Sequence, residues 1–223
     1  MKRANGVVDD DDGNPAKLCV SERAERAPGP LATLLGAIRD GDEAQVEAAL
    51  RDGASVDSTI TLAKDEFENL SAGATSVLIF AIAQGHNGIV QLLLERGADV
   101  HWARPHNGAD VLWCASAVGH VEVVRLLAEL GANVETPDKD GTTPAWIAAQ
   151  NGHVEVVRVL AELGANINTP KNDGATPAYI ASAEGHANVV RLLASLNYGG
   201  TWSRRCAPPS SQPQTQHHHH GLR

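Results

Sequence analysis

The dipeptide Gly-His stands at Gly85-His86, Gly119-His120, Gly152-His153 and Gly185-His186, so its histidines recur at intervals of 34, 33 and 33 residues. The text around it recurs too: GHVEVVRLLAELGANVETPDKDG over 119–141, GHVEVVRVLAELGANINTPKND over 152–173 and GHANVVRLLAS over 185–195. A period of this length points to stacked supersecondary units rather than one closed core. A weaker unit lies upstream, LATLLGAIRDGDEAQVEAALRDGASVD over 31–57, with Gly41-Asp42 where the others have Gly-His. The step from Asp42 to His86 is 44 residues, one period with an excess of 11. That excess falls in STITLAKDEFENLSA, 58–72, which is expected to lengthen one turn.

Each unit decodes locally. Thr143 can cap a helix with its side-chain oxygen, and Pro144 suits the first helical turn. Ala145 to Gln150 is small and helix-forming, and Gly152 can take the left-handed backbone that stops it. A second helix is predicted from Val154 to Leu163, with Val156, Val157, Leu160 and Leu163 as its apolar stripe. Glu155, Arg158 and Glu162 fall on the other face as i,i+3 and i,i+4 partners. Gly164 ends that helix, and 166–174 has the Asn, Asp, Pro and Gly of a turn. One such pair cannot bury its stripe alone, whereas stacked neighbours can. The expected fold is an all-α solenoid of stacked helix-turn-helix units with extended turns.

The ends of the array differ. In the first unit Arg39, Asp40, Asp42, Glu43, Gln45, Glu47 and Arg51 alternate with Leu34, Leu35, Ile38, Val46 and Leu50, the polar-faced pattern of a cap. In the last unit Val189, Val190, Leu192 and Leu193 look like an internal unit, and the chain is expected to turn away at Gly199-Gly200. Tyr198 and Trp202 are candidates to fold back over that end, as are a partner or a second copy. Residues 1–29, with Asp9–Asp12 and few large apolar groups, and 199–223, with low-complexity text, are expected to be disordered tails.

The pattern D-x-x-G-x-T-P-x-x-x-A-A-x-x-G-H-x-x-V-V-x-x-L, followed by G-A-N, resembles the ankyrin repeat. Asp138, Gly141, Thr143, Pro144, Ala148, Ala149, Gly152, His153, Val156, Val157, Leu160, Gly164 and Ala165 carry the match. The resemblance covers about five units, at 30–57, 73–105, 106–138, 139–171 and 172–198, with 58–72 inserted. It departs from the family's Thr-Pro-Leu-His, which is Thr143-Pro144-Ala145-Trp146, Thr176-Pro177-Ala178-Tyr179 and Asp110-Val111-Leu112-Trp113 here. The family's histidine at the fourth place links neighbouring units. Trp and Tyr can keep a polar handle there.

The resemblance implies a protein- or peptide-binding module whose concave face is lined by turn tips and exposed first-helix positions. Those positions map to His106, Asn107, Ala109, Ala117 and Val118, to Lys139, Asp140, Thr142, Gln150 and Asn151, and to Asn172, Asp173, Ala175, Ala183 and Glu184. The aromatic column Trp113, Trp146 and Tyr179, in register with Ile79 and Leu35, has two readings: packing between units, or anchors for a partner.

Other chemistry finds little support. Neighbouring members of the histidine column would lie about 8–10 Å apart, too far to share a zinc ion bound at ~2.0–2.1 Å, so a structural role is expected and no metal. The tract His217–His220 reads as a biased tail or a loose metal binder. No phosphate loop, His-Glu-x-x-His or nucleophile elbow is present, and no catalytic residue or cofactor is expected. Cys114 sits where other units have Ile147 and Ile180, so it reads as a small buried apolar group. Phe67 in the insertion is expected to pack back on the array.

The balance of 27 acidic against 18 basic residues argues against nucleic acid and anionic membranes as partners, and no small-molecule substrate is expected. No apolar run is long enough to span a bilayer, no secretory signal follows Lys2-Arg3, and three scattered cysteines imply no disulfide framework. A monomer in the cytoplasm or nucleus is the expectation. An adaptor that targets an associated enzyme to its substrates is the alternative function.

Overall fold

The computed structural model describes residues 18–19, 29–62 and 73–205, with side chains for 29–61 and 73–197. Five helix pairs follow one another in it: α1 (Pro30–Asp40) with α2 (Glu43–Arg51), α3 (Val77–Gln84) with α4 (Asn87–Glu95), α5 (Val111–Val118) with α6 (Val121–Glu129), α7 (Pro144–Gln150) with α8 (Val154–Glu162), and α9 (Pro177–Ala183) with α10 (Ala187–Arg205). Four of the five first helices begin where a side chain supplies an oxygen, and α1 begins at Gly29-Pro30 without one. Ser76, Asp110, Thr143 and Thr176 accept from the backbone N–H groups of Ile79 (3.3 Å), Trp113 (2.7 Å), Trp146 (3.2 Å) and Tyr179 (3.2 Å). Each such cap contributes about 1 kcal/mol.

First helices pack on first helices and second helices on second helices down the array. The core is therefore one continuous cluster, running from Leu34 and Ile38 through Val77–Ile82, Val111–Ala115 and Ala145–Ala149 to Val189 and Leu193. The stripe expected on α8 is buried at Val156, Val157 and Leu160. Leu163 departs from it and is 38 % exposed, because α8 ends at Glu162 and Leu163 is its cap. Val159 takes a buried place instead. The polar face also differs from expectation: Arg158 pairs with Glu155 at 3.1 Å, but Glu162 reaches Arg125 of the preceding unit at 2.9 Å.

The histidine column packs backward. Each histidine lies at the N-cap of a second helix and packs on the glycine that ends the first helix of the preceding unit: His86 on Gly41, His120 on Gly85, His153 on Gly119 and His186 on Gly152. His153 Nε2 donates to the Ala117 carbonyl at 3.0 Å. Among the described residues no helix pair precedes the first unit, and its Asp42 caps its own helix by accepting from Gln45 N at 3.0 Å. That accounts physically for Gly-Asp where the other units have Gly-His.

Three corrections concern the edges of the array. The insertion opens and closes as strands: β2 (Thr59–Leu62) pairs antiparallel with β3 (Gly73–Ser76), Thr59 opposite Ser76 and Leu62 opposite Gly73. The β-branched Thr-Ile-Thr run favours this, with Ile60 buried between half-buried Thr59 and Thr61. Within the expected N-terminal tail, β1 (Leu18–Cys19) pairs parallel to β2. Finally, α10 does not stop at Gly199-Gly200 but continues to Arg205. Glycine costs a helix about 1 kcal/mol each, which a helix already anchored by Val189, Leu192 and Leu193 can carry. Phe67 and 206–223 lie outside the described residues, as do the side chains of Tyr198 and Trp202.

The Gly-His contact has a measurable weight. A Cβ on Gly119 would stand 2.6 Å from His153 Nδ1, at a φ of +89°, whereas one on Gly164, at a φ of +90°, would meet nothing within 4 Å. Both Gly→Ala changes carry the left-handed penalty of about 1–2 kcal/mol. Gly119→Ala is expected to lose a further ~1–3 kcal/mol to overpacking in urea unfolding. Equal losses would remove the histidine contact from the account. A second test uses pH. Burial holds His120 below its ordinary value of 6.5, with the Ile82 carbonyl opposing and the charge of His153 adding to the shift. The unfolded chain therefore takes up this proton more readily. Stability is full above 6.5 and falls as pH drops from there through the lowered folded value. The urea midpoint is expected to decline over that window in the native protein and to decline less steeply in His120→Gln.

Candidate partner-binding face

The turns between units are held from within by their own polar side chains. In the turn at 138–142, Asp138 N donates to the Thr142 carbonyl (3.0 Å), and Asp138 Oδ1 accepts from Asp140 N (3.0 Å) and Thr142 N (2.8 Å). At 171–175, Lys171 N donates to the Ala175 carbonyl (3.0 Å) and Asp173 Oδ1 accepts from Ala175 N (2.9 Å). At 104–109 the equivalent bond runs from Arg104 N to the Ala109 carbonyl (2.9 Å), with Asn107 Oδ1 accepting from Ala109 N (3.2 Å). That turn is one residue longer, which places the extra residue in the 34-residue step from His86 to His120.

Successive turns are also bonded to each other. Lys139 N donates to the Asn107 carbonyl (2.8 Å), and Lys139 Nζ donates to the carbonyls of Pro105 (2.7 Å) and His106 (3.1 Å). Asn172 N donates to the Asp140 carbonyl (3.0 Å), and Asn172 Nδ2 to the Lys139 carbonyl (3.2 Å). These bonds bring His106-Asn107, Lys139-Asp140 and Asn172-Asp173 into one ridge. His106, Lys139, Asp140, Asn172 and Asp173 are exposed, and Asn107 is half-buried. Burial, then the charges of Arg104 and Lys139, hold His106 below its ordinary value. The ridge thus offers an ammonium, two carboxylates, an amide and an imidazole biased to its neutral form.

The remaining candidates divide. Glu184 and Ala183 are exposed on the last unit, and Gln150 is half-buried. Asn151 is half-buried and its amide donates to the Ala117 carbonyl of the preceding unit (2.7 Å). Trp113, Trp146 and Thr142 are buried, as are Ala109 and Ala117, so they have little surface to present to a partner. The indoles bond forward. Trp113 Nε1 donates to the Thr142 carbonyl (3.0 Å) and Trp146 Nε1 to the Ala175 carbonyl (2.8 Å), each in the turn of the following unit. Lys171 Nζ lies over the Trp146 ring, 5.4 Å from its centroid. A link between units therefore persists here with an indole as donor. Tyr179 holds the same place in the last described helix pair and is 65 % exposed.

Beneath the ridge, Arg104 is buried and burial lowers its pKa. Next to it, burial pushes the Cys114 thiol up to about 12 against the opposing pull of Arg104, which leaves it protonated and packed as an apolar group. Burial also raises Asp110, against the N–H of Trp113 that it caps. Two shallow grooves lie elsewhere, between second helices. One of about 510 Å³ is lined by Glu43, Glu47, Gln91 and Glu95, and one of about 290 Å³ by Gln91, Glu122, Arg125 and Glu129. Among the described residues no group of three or more His, Cys, Asp or Glu is placed to hold a metal ion, and no helix is long and apolar enough to cross a membrane.

Sequence reasoning passed over one surface feature. Leu130, Leu163 and Leu196 are 49, 38 and 39 % exposed. Their signal was phase: Leu130 and Leu163 each directly precede the glycine that follows a second helix, one step past the buried stripe.

The family model described as ankyrin repeats (3 copies) matches residues 34–138 and 131–201. Comparison with curated proteins gives no match.

The forward link is separable from simple burial. Trp146→Phe keeps a ring and removes the donor to Ala175, and is expected to cost about 1 kcal/mol in urea unfolding. Tyr179→Phe, at an exposed ring, is expected to change stability by less than ~0.5 kcal/mol. A loss in Tyr179→Phe as large as that in Trp146→Phe would mean that the indole bond is not what matters.

Proposed function

Because the chain belongs to the ankyrin-repeat family, whose members are generally protein–protein interaction modules, we propose that it binds a protein or peptide without catalysis, through the turn ridge and the exposed first-helix positions beside it. The observation that carries this is the bonding from turn to turn. Lys139 to Asn107 and Asn172 to Asp140 join backbone to backbone, so the ridge is ordered before any partner arrives. A surface that is already ordered loses less entropy on binding. Contact falls to His106, Lys139, Asp140, Asn172, Asp173, Tyr179 and Glu184, with Asn107, Gln150 and Asn151 at the margin. Trp113, Trp146 and Thr142 support it from below. Mixed charge on the ridge favours a partner that is itself mixed and polar over a polyanion.

The clean test uses side chains that do no structural work. Those of Asp140, Tyr179 and Glu184 are exposed and make no hydrogen bond or ion pair among the described residues. The triple change Asp140→Ala, Tyr179→Ser, Glu184→Ala is expected to leave the melting temperature unchanged. Affinity capture with mass spectrometry should lose the partners enriched by the native protein by tenfold or more. Undiminished capture by a folded triple variant would place binding on another surface.

A further inference from the structure

We propose that Leu130, Leu163 and Leu196, with the acidic residues beside them, form a second docking surface that takes a basic amphipathic helix from a partner protein. The three leucines hold one phase of the repeat: Leu130 and Leu163 cap the C-terminal ends of α6 and α8, and Leu196 lies within α10. The same phase is Arg96 in the second unit and Asp52 in the first, both exposed and polar. The apolar row therefore starts at the third unit, on the second helices, while the turn ridge is built by the turns.

Spacing favours a helical occupant. Adjacent second helices lie about 8–10 Å apart. A helix rises 1.5 Å per residue, so residues about seven apart stand on one face at ~10.5 Å, matching the row. In a strand the nearest match is a three-residue step, which turns the side chain to the opposite face. Charge selects the occupant's sign. Glu95, Glu129 and Glu162 form an exposed row one residue before, and Glu135, whose Oε1 accepts from Asn166 N, is exposed five residues past Leu130. Arg96 and Arg125 already pair with Glu47 and Glu162. Lysines or arginines flanking an apolar stripe would meet Glu129 and Glu135.

Other occupants fit less well. Two copies joined row to row would set Glu129 and Glu162 against themselves. An anionic membrane meets the same repulsion. The chain's own segments 1–28 and 206–223 contain one leucine each, Leu18 in strand β1 and Leu222 behind Pro208, Pro209 and Pro213.

The probe is a fluorescein-labelled helical peptide with three leucines about seven residues apart and flanking lysines, titrated into the full chain and followed by anisotropy. Binding is expected to weaken at least about tenfold in Leu163→Ser, and likewise in Leu130→Ser, since each withdraws one buried leucine. Added salt should also weaken it, and glutamates in place of the lysines should abolish it. Both changes are at exposed sites, and circular dichroism should show native helicity. Equal affinity for native protein and both serine variants would overturn the proposal, and so would equal affinity for the glutamate peptide. A dimer in sedimentation that Leu163→Ser disperses would overturn it in favour of a second copy. Co-sedimentation with phosphatidylserine vesicles that needs Leu163 would overturn it in favour of a membrane.

Discussion

A pair of short helices with one apolar stripe cannot keep that stripe from water, and every other feature of this protein follows from that deficit. Helices of seven to eleven residues, as α7 and α1 are, would be marginal in isolation. Here Val156, Val157 and Leu160 are buried only because α6 and α10 lie on either side of α8. The burial is shared, so the repeat cannot be shortened to one unit without exposing both of its flanks. Directional bonds then set the stacking. Histidine reaches backward to the glycine and carbonyls of the preceding unit, and the indole reaches forward to the carbonyl of the following turn. The ends agree with the direction of each. Asp42 replaces histidine in the first described helix pair, and Tyr179 stands exposed in the last.

The same stacking makes the turns a surface. Each turn is closed by an Asx-type bond from Asn107, Asp138 or Asp173, then tied to its neighbour through the backbone. Buried residues anchor them as well, with Arg104, Ala109 and Thr142 all beneath the surface. Two reactive groups lie beneath this surface rather than on it. The Cys114 thiol is protonated by burial, and the Arg104 guanidinium lies under the third turn. What remains outside is a set of polar and charged tips in fixed mutual positions, suited to recognition.

Much of this was legible in the sequence because the stack repeats its demands. Gly-His, Val-Val and Gly-Ala recur with the period of the helix pair, and their phase alone gives five units and the core. What escaped was set by contacts between units or by the end of an element. The sequence made Trp113 and Trp146 either anchors or packing, and the choice depended on the carbonyl of the next turn, 29 residues further on. Leu163 matched the helical stripe in spacing, yet α8 stops one residue earlier and lets it face solvent. Glu162 had Arg158 in reach along its own helix and took Arg125 across the stack. The strands at 59–62 and 73–76 were masked by their position in an excess that breaks the period, although Thr-Ile-Thr-Leu alternates as a strand should.

Comparison of the units within this one chain separates structure from recognition. Val123, Val156 and Val189 are the same residue in three units and are all buried, as are Leu127, Leu160 and Leu193. The tips are not: His106-Asn107, Lys139-Asp140 and Asn172-Asp173 share position but not identity, and all but half-buried Asn107 are exposed. The tips are joined by two backbone bonds, Lys139 N to the Asn107 carbonyl and Asn172 N to the Asp140 carbonyl, and by three side-chain bonds, two from Lys139 Nζ and one from Asn172 Nδ2. The exposed Asp140 side chain can therefore change without loosening the ridge, whereas those of Lys139 and Asn172 help tie it and a change at Val156 would open the core on both sides. Burial in the stack and bonding between the turns thus rest on different atoms of the same repeat.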